Sequence, residues 1–289
     1  MILGQFDLAG FDLAAFVRAT LDEDLGASLP GGGHDVTAES VIPADARFSG
    51  TMDSREAIVV AGLPLAAAFF RALDPAVDIA ILADEGARVA PGTSLMRLSG
   101  KARAMLTAER SALNTVQHLS GIATLTRRYV DAMANPACTL LDTRKTIPGL
   151  RHLEKYATRM GGAQNHRMGL WDAAMIKDNH IAVAGSVGEA VARARAGGVA
   201  HIICEVDRLD QIEPALMAGA SHLLLDNMAL DTLRQAVALV AGRAPTEASG
   251  GVNLDTIGPI AATGVTYVSV GRLTQSAPAV DIGLDFTPL

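Results

Sequence analysis

Between residues 142 and 180 the chain sets seven Lys or Arg (144, 145, 151, 155, 159, 167, 177) against four acids (142, 154, 172, 178). That is +3 locally in a protein of formal net charge −7, leaving −10 elsewhere. A guanidinium fork matches a carboxylate bidentately, and a Lys ammonium is a compact charge for phosphate. Arg144, Lys145, Arg167 and Lys177, with His166 close by, would therefore build a pocket for a multiply charged anion if they share one site. Glu205 and Asp226 end two later apolar runs, HIICE and HLLLD. A buried carboxylate is costly unless paired or liganded, so both are expected to face that site. There they could bind sugar hydroxyls, hold Mg²⁺ or stabilise a developing oxocarbenium ion. A structural salt bridge to a neighbouring Lys or Arg is the plainer alternative.

Positioning such groups requires several strand ends to converge. After a long stretch with few breakers at 102–132, which reads as helix with Gly121 a tolerated interruption, apolar runs alternate with helical segments: CTLLD, AAMIK, HIICE, HLLLD, PTEAS and TYVSVG. Such alternation implies parallel strands joined by right-handed crossovers. Each run is followed or ended by a polar group or glycine: Arg144 and Lys145, Lys177, Glu205, Asp226, Ser249 with Gly250 and Gly251, and Gly271. A β/α barrel collects strand ends at one mouth, and its last loops often make a phosphate site from backbone N–H groups. With ~170 residues after Thr115, against the ~250 of a full eight-stranded barrel, a short or irregular barrel is expected. The doubly wound alternative lacks its G-x-G-x-x-G.

The first part reads differently. A helix at about 11–25 and a flexible loop, ASLPGGGHD, precede short strand-like runs, FSGTMDS, EAIVVAG, VDIAILADEG and SLMRLSG, giving an α+β region. EGARVAPGTSLMRLSG is similar to carrier-module hairpins but has no acceptor Lys at its turn, so a structural hairpin is expected. Arg151, Lys155 and Arg159 recur at four-residue spacing with Glu154 among them and read as a solvated helix face. His180 is open between a loop-packing and a site role.

The 289 residues are 49% hydrophobic and 19% charged, a globular composition. No run reads as a membrane span, and the opening MILGQFDLAGFDL lacks the features of a signal peptide, so a cytoplasmic protein is expected. Cys138 and Cys204, in apolar runs, should be reduced and buried. The acidic balance argues against general nucleic-acid binding.

ERSALN (109–114), QHLSGIAT (117–124), DTRKTIPGLR (142–151), EKYA (154–157), GGAQNHRMGLWDAAMIKDNHI (161–181), LLLDNM (223–228), SGGV and SVG together resemble the quinolinate phosphoribosyltransferase family, with EDLG (23–26) and AGLP (61–64) extending the resemblance over most of the chain. The resemblance implies an α/β protein with an N-terminal open α/β sandwich, residues 1–112 with 276–289 free to return to it, and an incomplete, irregular parallel β/α barrel at 113–275. It implies a homodimer with shared active sites and a glycosyltransfer from phosphoribosyl pyrophosphate to quinolinate with decarboxylation, giving nicotinate mononucleotide. Carried over by motif, Arg144, His166, Arg167 and Lys177 would hold quinolinate, with Arg110 arriving from the other subunit. Lys145, Glu205 and Asp226 would meet phosphoribosyl pyrophosphate and its Mg²⁺ as the catalytic set, and Ser249, Gly250, Gly251 and Gly271 its 5′-phosphate.

The chain departs from that pattern in two places. The loop after EDLG is long and keeps only Asp35 and Thr37, and GRLTQS carries Arg272 and Gln275 where the family more often has Ala and His. Two rival readings remain at this stage. One is a molybdenum-transport-associated relative of the same fold, against which IKDNH (176–180) is intact. The other is a Schiff-base aldolase using Lys177.

Overall fold

The computed structural model describes residues 8–289. The start of the segment examined for a signal peptide, residues 1–7, lies outside them. The described residues form two compact units, one of residues 8–125, 152–161 and 277–289, the other of 126–151 and 162–276.

In the first unit, α1 (Leu13–Leu25) begins at Asp12, whose side chain accepts the Ala15 N–H, and ends on left-handed Gly26. The Gly-rich loop then leads to α2 (Val36–Val41), capped by Asp35. The strand-like runs become β1 (Arg47–Ser54), β2 (Ile58–Val59), β3 (Asp78–Ile81), β4 (Arg88–Val89) and β5 (Ser94–Lys101), with α3 (Leu63–Leu73) between β2 and β3. The sheet order is β12-β1-β5-β3, with β12 (Ile282–Pro288) antiparallel to β1 along its length. The short strands β2 and β4 pair separately. Almost all of α3 is buried, and its Phe69 and Phe70 anchor the core with Met52, Leu95 and Met96.

The long helical stretch is α4 (Ala102–Met133). Its apolar side, Met105, Ala108, Ala112, Leu113, Val116 and Leu119, follows helical spacing and is buried. Gly121 proves to be required rather than tolerated, because a Cβ there would lie 2.1 Å from the Pro278 carbonyl oxygen. The segment LRHLEKYATRM overturns its reading as a solvated face. It forms α5 (Arg151–Met160), most of it assigned to the first unit, in which Glu154 and Lys155 are fully buried and only Arg159 is exposed. Glu154 Oε1 meets His118 Nε2 at 2.9 Å, and the Tyr156 hydroxyl donates to Glu85 at 2.5 Å. Two of the charges that look like a wet stripe in sequence, Glu154 and Lys155, are here internal.

The second unit is a parallel six-stranded sheet of β6 (Thr139–Leu141), β7 (Ala174–Ile176), β8 (Ile202–Val206), β9 (His222–Asp226), β10 (Thr246–Ser249) and β11 (Tyr267–Ser269), in the order β6-β11-β10-β9-β8-β7. The helices α6 (Asp178–Ala184), α7 (Val187–Ala196), α8 (Ile212–Ala218), α9 (Leu230–Val240), α10 (Ile257–Ala261) and α11 (Arg272–Gln275) follow the strands. Burial on both faces explains why these strands read as continuous apolar runs. With two strands fewer than a full barrel, β6 and β7 do not pair, and the edge of β6 is met instead by a single bridge, Leu141 to Gln164. This is the short barrel anticipated above. Cys138 and Cys204 are buried free thiols, both pushed up to about 11 by burial. Among the described residues no helix is long and apolar enough to cross a membrane.

Candidate active site

A cavity of about 720 Å³ opens at the carboxyl ends of five of the six strands. Its wall repeats with the two-residue period of a strand: Thr143 and Lys145, Met175 and Lys177, Leu224 and Asp226, Glu247 and Ser249, Ser269 and Gly271. His166 and Arg167 fill the arc between β6 and β7, where no strand runs.

The loop carrying these two residues is anchored by side chains. Asp142, fully buried at the end of β6, accepts from Asn165 Nδ2 at 2.6 Å and from the His166 N–H at 2.8 Å. Arg151 ties the neighbouring loops by donating to Thr146 Oγ1 and the Met168 carbonyl, which corrects its reading as a surface charge. Arg167 donates through Nη1 to the Ala173 carbonyl at 2.8 Å. Burial, then the nearby Arg144, lowers its pKa below the usual guanidinium value. The Nε atoms of Arg144 and Arg167 and Oε1 of Glu247 are buried without hydrogen-bond partners. Buried polar atoms are rarely left so, and three around one cavity mark it as a place for a polar ligand.

Lys145 is set by its backbone: its N–H donates to Thr143 Oγ1, and its carbonyl accepts from Thr274 Oγ1 at 2.7 Å. Its side chain passes over Gly271, where a Cβ would come within 2.7 Å of Lys145 Cδ. Gly250 is needed twice over, since its φ is +95° and a Cβ would lie 2.1 Å from Asn227 Oδ1. Lys177 Nζ and Glu205 Oε2 form an ion pair. Asp226, the last residue of β9, accepts from Asn227 Nδ2 at 2.7 Å and pairs in register with Ser249. His180 is a helix cap: its Nδ1 accepts the Lys177 backbone N–H at 3.0 Å.

The cavity wall thus contains Arg144, Lys145, His166, Arg167, Lys177, Asp226, Ser249, Gly250, Gly251 and Gly271, with Glu205 attached through Lys177. Arg110 lies exposed on α4 in the first unit and is not part of this wall. The sequence reading missed Glu247. It sits mid-strand, two residues before Ser249, and counting back by two from the strand end would have found it. Burial raises its pKa, but the neighbouring His166, His222 and Ser269 side chains more than offset this and hold it at about 2.

Residues 122–285 match the quinolinate phosphoribosyl transferase C-terminal domain and residues 35–120 the N-terminal domain. A nicotinate-nucleotide pyrophosphorylase (carboxylating) from Mycobacterium leprae is 42% identical over 276 residues, 93% of this chain and 95% of that protein. The solved structure of NadC from Streptococcus pyogenes superposes with a TM-score of 0.93 at 38% identity, covering 99% of this chain and 100% of the other. The nicotinate-nucleotide pyrophosphorylase from Francisella tularensis gives a TM-score of 0.88 at 36% identity, over 95% and 96% of the two chains.

Proposed function

Because the chain belongs to the quinolinate phosphoribosyltransferase family, we propose that the cavity of its second unit transfers the phosphoribosyl group of phosphoribosyl pyrophosphate to quinolinate. The products are nicotinate mononucleotide, CO₂ and pyrophosphate. The observation that carries this reading is the pair of buried, unpartnered guanidinium Nε atoms, Arg144 and Arg167, in one wall of the cavity. Two such forks suit a rigid dicarboxylate.

Quinolinate binds through its carboxylates to Arg144, Arg167 and Lys177, with His166 beside them. The phosphoribosyl end lies towards Lys145 and the loops at Ser249, Gly250, Gly251 and Gly271, whose backbone N–H groups receive the 5′-phosphate. The ring nitrogen forms its bond to C1 of the ribose as the bond from C1 to pyrophosphate oxygen breaks. Charge builds on C1 in an oxocarbenium-like state, which Asp226 and Glu205 stabilise from neighbouring strands. The nitrogen, now cationic, draws the electron pair of the adjacent C–CO₂ bond; CO₂ leaves and the ring carbon takes up a proton. The protein contributes positioning and fixed charge more than proton transfer.

The donor set also fits Mg²⁺. That ion is commonly held by one or two carboxylates plus substrate phosphates, and Glu205 and Asp226 stand on adjacent strands. When bound it would neutralise the departing pyrophosphate. Among the described residues no three His, Cys, Asp or Glu cluster as a metal site, so most of its oxygens would come from substrate and water. The protein acts in the cytoplasm as a homodimer, with Arg110 of each subunit completing the partner's quinolinate site. A Schiff-base role for Lys177 is disfavoured, because that chemistry needs the free amine and Lys177 is in an ion pair with Glu205.

The test is an ultraviolet assay of the purified protein with quinolinate, phosphoribosyl pyrophosphate and Mg²⁺. Nicotinate mononucleotide should accumulate with one CO₂ per turnover, and its absence would sink the reading. Lys177→Ala should lose quinolinate affinity and turnover; intact values would remove Lys177 from the site.

A further inference from the structure

Glu247 is the one fully buried carboxylate in the cavity wall that the reaction as described does not use. Its Oε2 lies 3.2 Å from His166 Nε2. The other ring nitrogen of His166, Nδ1, accepts the backbone N–H of Arg167 at 2.7 Å. An accepting Nδ1 carries a lone pair, so the ring proton sits on Nε2 and is donated to Glu247. The imidazole is thereby a rigid link with both ends engaged, from a carboxylate on β10 to the backbone of the residue bearing a cavity guanidinium. His222 closes the other side. Its Nε2 is 3.0 Å from Glu247 Oε2, without the alignment of a hydrogen bond, and its ring stacks on Tyr267.

The place of this link in the fold says why it matters. Residues 165–167 occupy the arc that β6 and β7 leave unpaired, so no ladder fixes them along their length. Asp142 holds the loop by its backbone on the β6 side. Glu247 holds it from β10, which is separated from β6 by β11, and so reaches His166 through the barrel interior. A loop tied at both points presents its side chain in one direction, whereas a loop tied at one can swing.

We propose that Glu247 is a positioning residue for the dicarboxylate half of the reaction, acting through His166 to fix the backbone of Arg167 and hence the aim of its guanidinium. Its link runs to the loop that carries Arg167, so its effect should be confined to quinolinate. The inference rests on the functional reading above.

The experiment is steady-state kinetics of Glu247→Gln in the full-length protein, with each substrate varied in turn, alongside its melting temperature. Gln keeps the shape and an accepting oxygen but loses the charge. The expected result is a KM for quinolinate raised by about tenfold, with the KM for phosphoribosyl pyrophosphate within about twofold of the parent value. A merely structural carboxylate would lower the melting temperature and the active fraction without separating the two constants. Equal changes in both, or none in either, would therefore overturn the proposal. Should Glu247→Gln not fold, Glu247→Asp keeps the charge but withdraws it one methylene from His166, and the same selective rise is expected. A parent protein that makes no nicotinate mononucleotide defeats the functional reading itself; a parent that turns over while Glu247→Gln keeps its quinolinate KM defeats only this inference.

Discussion

Each unit of the molecule buries charge, and the two treat it differently. In the first, the Glu85 carboxylate accepts three hydrogen bonds, from the Gly62 and Leu63 N–H groups at 2.7 and 2.9 Å and from the Tyr156 hydroxyl at 2.5 Å. It closes the start of α3, while burial raises its own pKa and pushes the Tyr156 phenol up. In the second, Arg144 Nε, Arg167 Nε and Glu247 Oε1 are shielded from water and have no hydrogen-bond partner. Leaving a buried polar atom unmade costs about 1–3 kcal/mol, so the second arrangement sacrifices stability that the first retains. A satisfied buried charge marks a joint of the fold; an unsatisfied group of them marks where a ligand belongs.

The largest effect should come from breaking the unsatisfied side. Arg144→Ala removes a half-buried cation whose shielded Nε is proposed to meet the substrate carboxylate. Truncating one member of such a pair costs about 2–5 kcal/mol, so kcat/KM for quinolinate should fall at least about thirtyfold. The melting temperature should move little, because no protein partner is orphaned at its Nε. A large drop in melting temperature with kinetics preserved would reverse the contrast between the two units.

The satisfied side should behave in the opposite way. Glu85→Ala strands two backbone donors and a phenol in the interior, a loss of about 3 kcal/mol. For a domain of this size that lowers the melting temperature by roughly 5–10 °C. The folded fraction should keep both KM values within about twofold. A selective change in one KM would show that Glu85 reaches the site and that burial with full satisfaction is not a sufficient sign of a structural role.

The same contrast explains what could be read from the sequence. Strand ends were legible because an apolar run that stops at a charge is a one-dimensional signal: Lys177, Glu205 and Asp226 all stand where the order of residues put them. Glu247 escaped because it is flanked by Thr246 and Ala248 inside a short strand and earns notice only when its face is counted by twos. Lys155 was misread because four-residue charge spacing says which residues share a helix side, not whether another part of the chain covers that side. Gly121 was misread for a related reason: its meaning depends on Pro278, far away in sequence, approaching the helix backbone. Local pattern fixed the elements and their order, and long-range contacts assigned which charges are joints and which are ligands.

The smallest effect sharpens the contrast at its exposed edge. Arg272 lines the cavity beside Gly271 and is solvent-exposed. An exposed cation next to the phosphate loops should assist a phosphorylated substrate through space, in a high-dielectric setting where such a charge contributes less than about 1 kcal/mol. Arg272→Ala should therefore raise the KM for phosphoribosyl pyrophosphate by roughly two- to fivefold and leave that for quinolinate unchanged. Because the interaction is screened, the difference between parent and variant should shrink as salt is raised to about 0.5 M, where the Debye length falls to only a few ångströms. A gap that persists in high salt would mean that Arg272 makes a desolvated contact with the phosphate and belongs with Arg144 and Arg167 rather than at the rim.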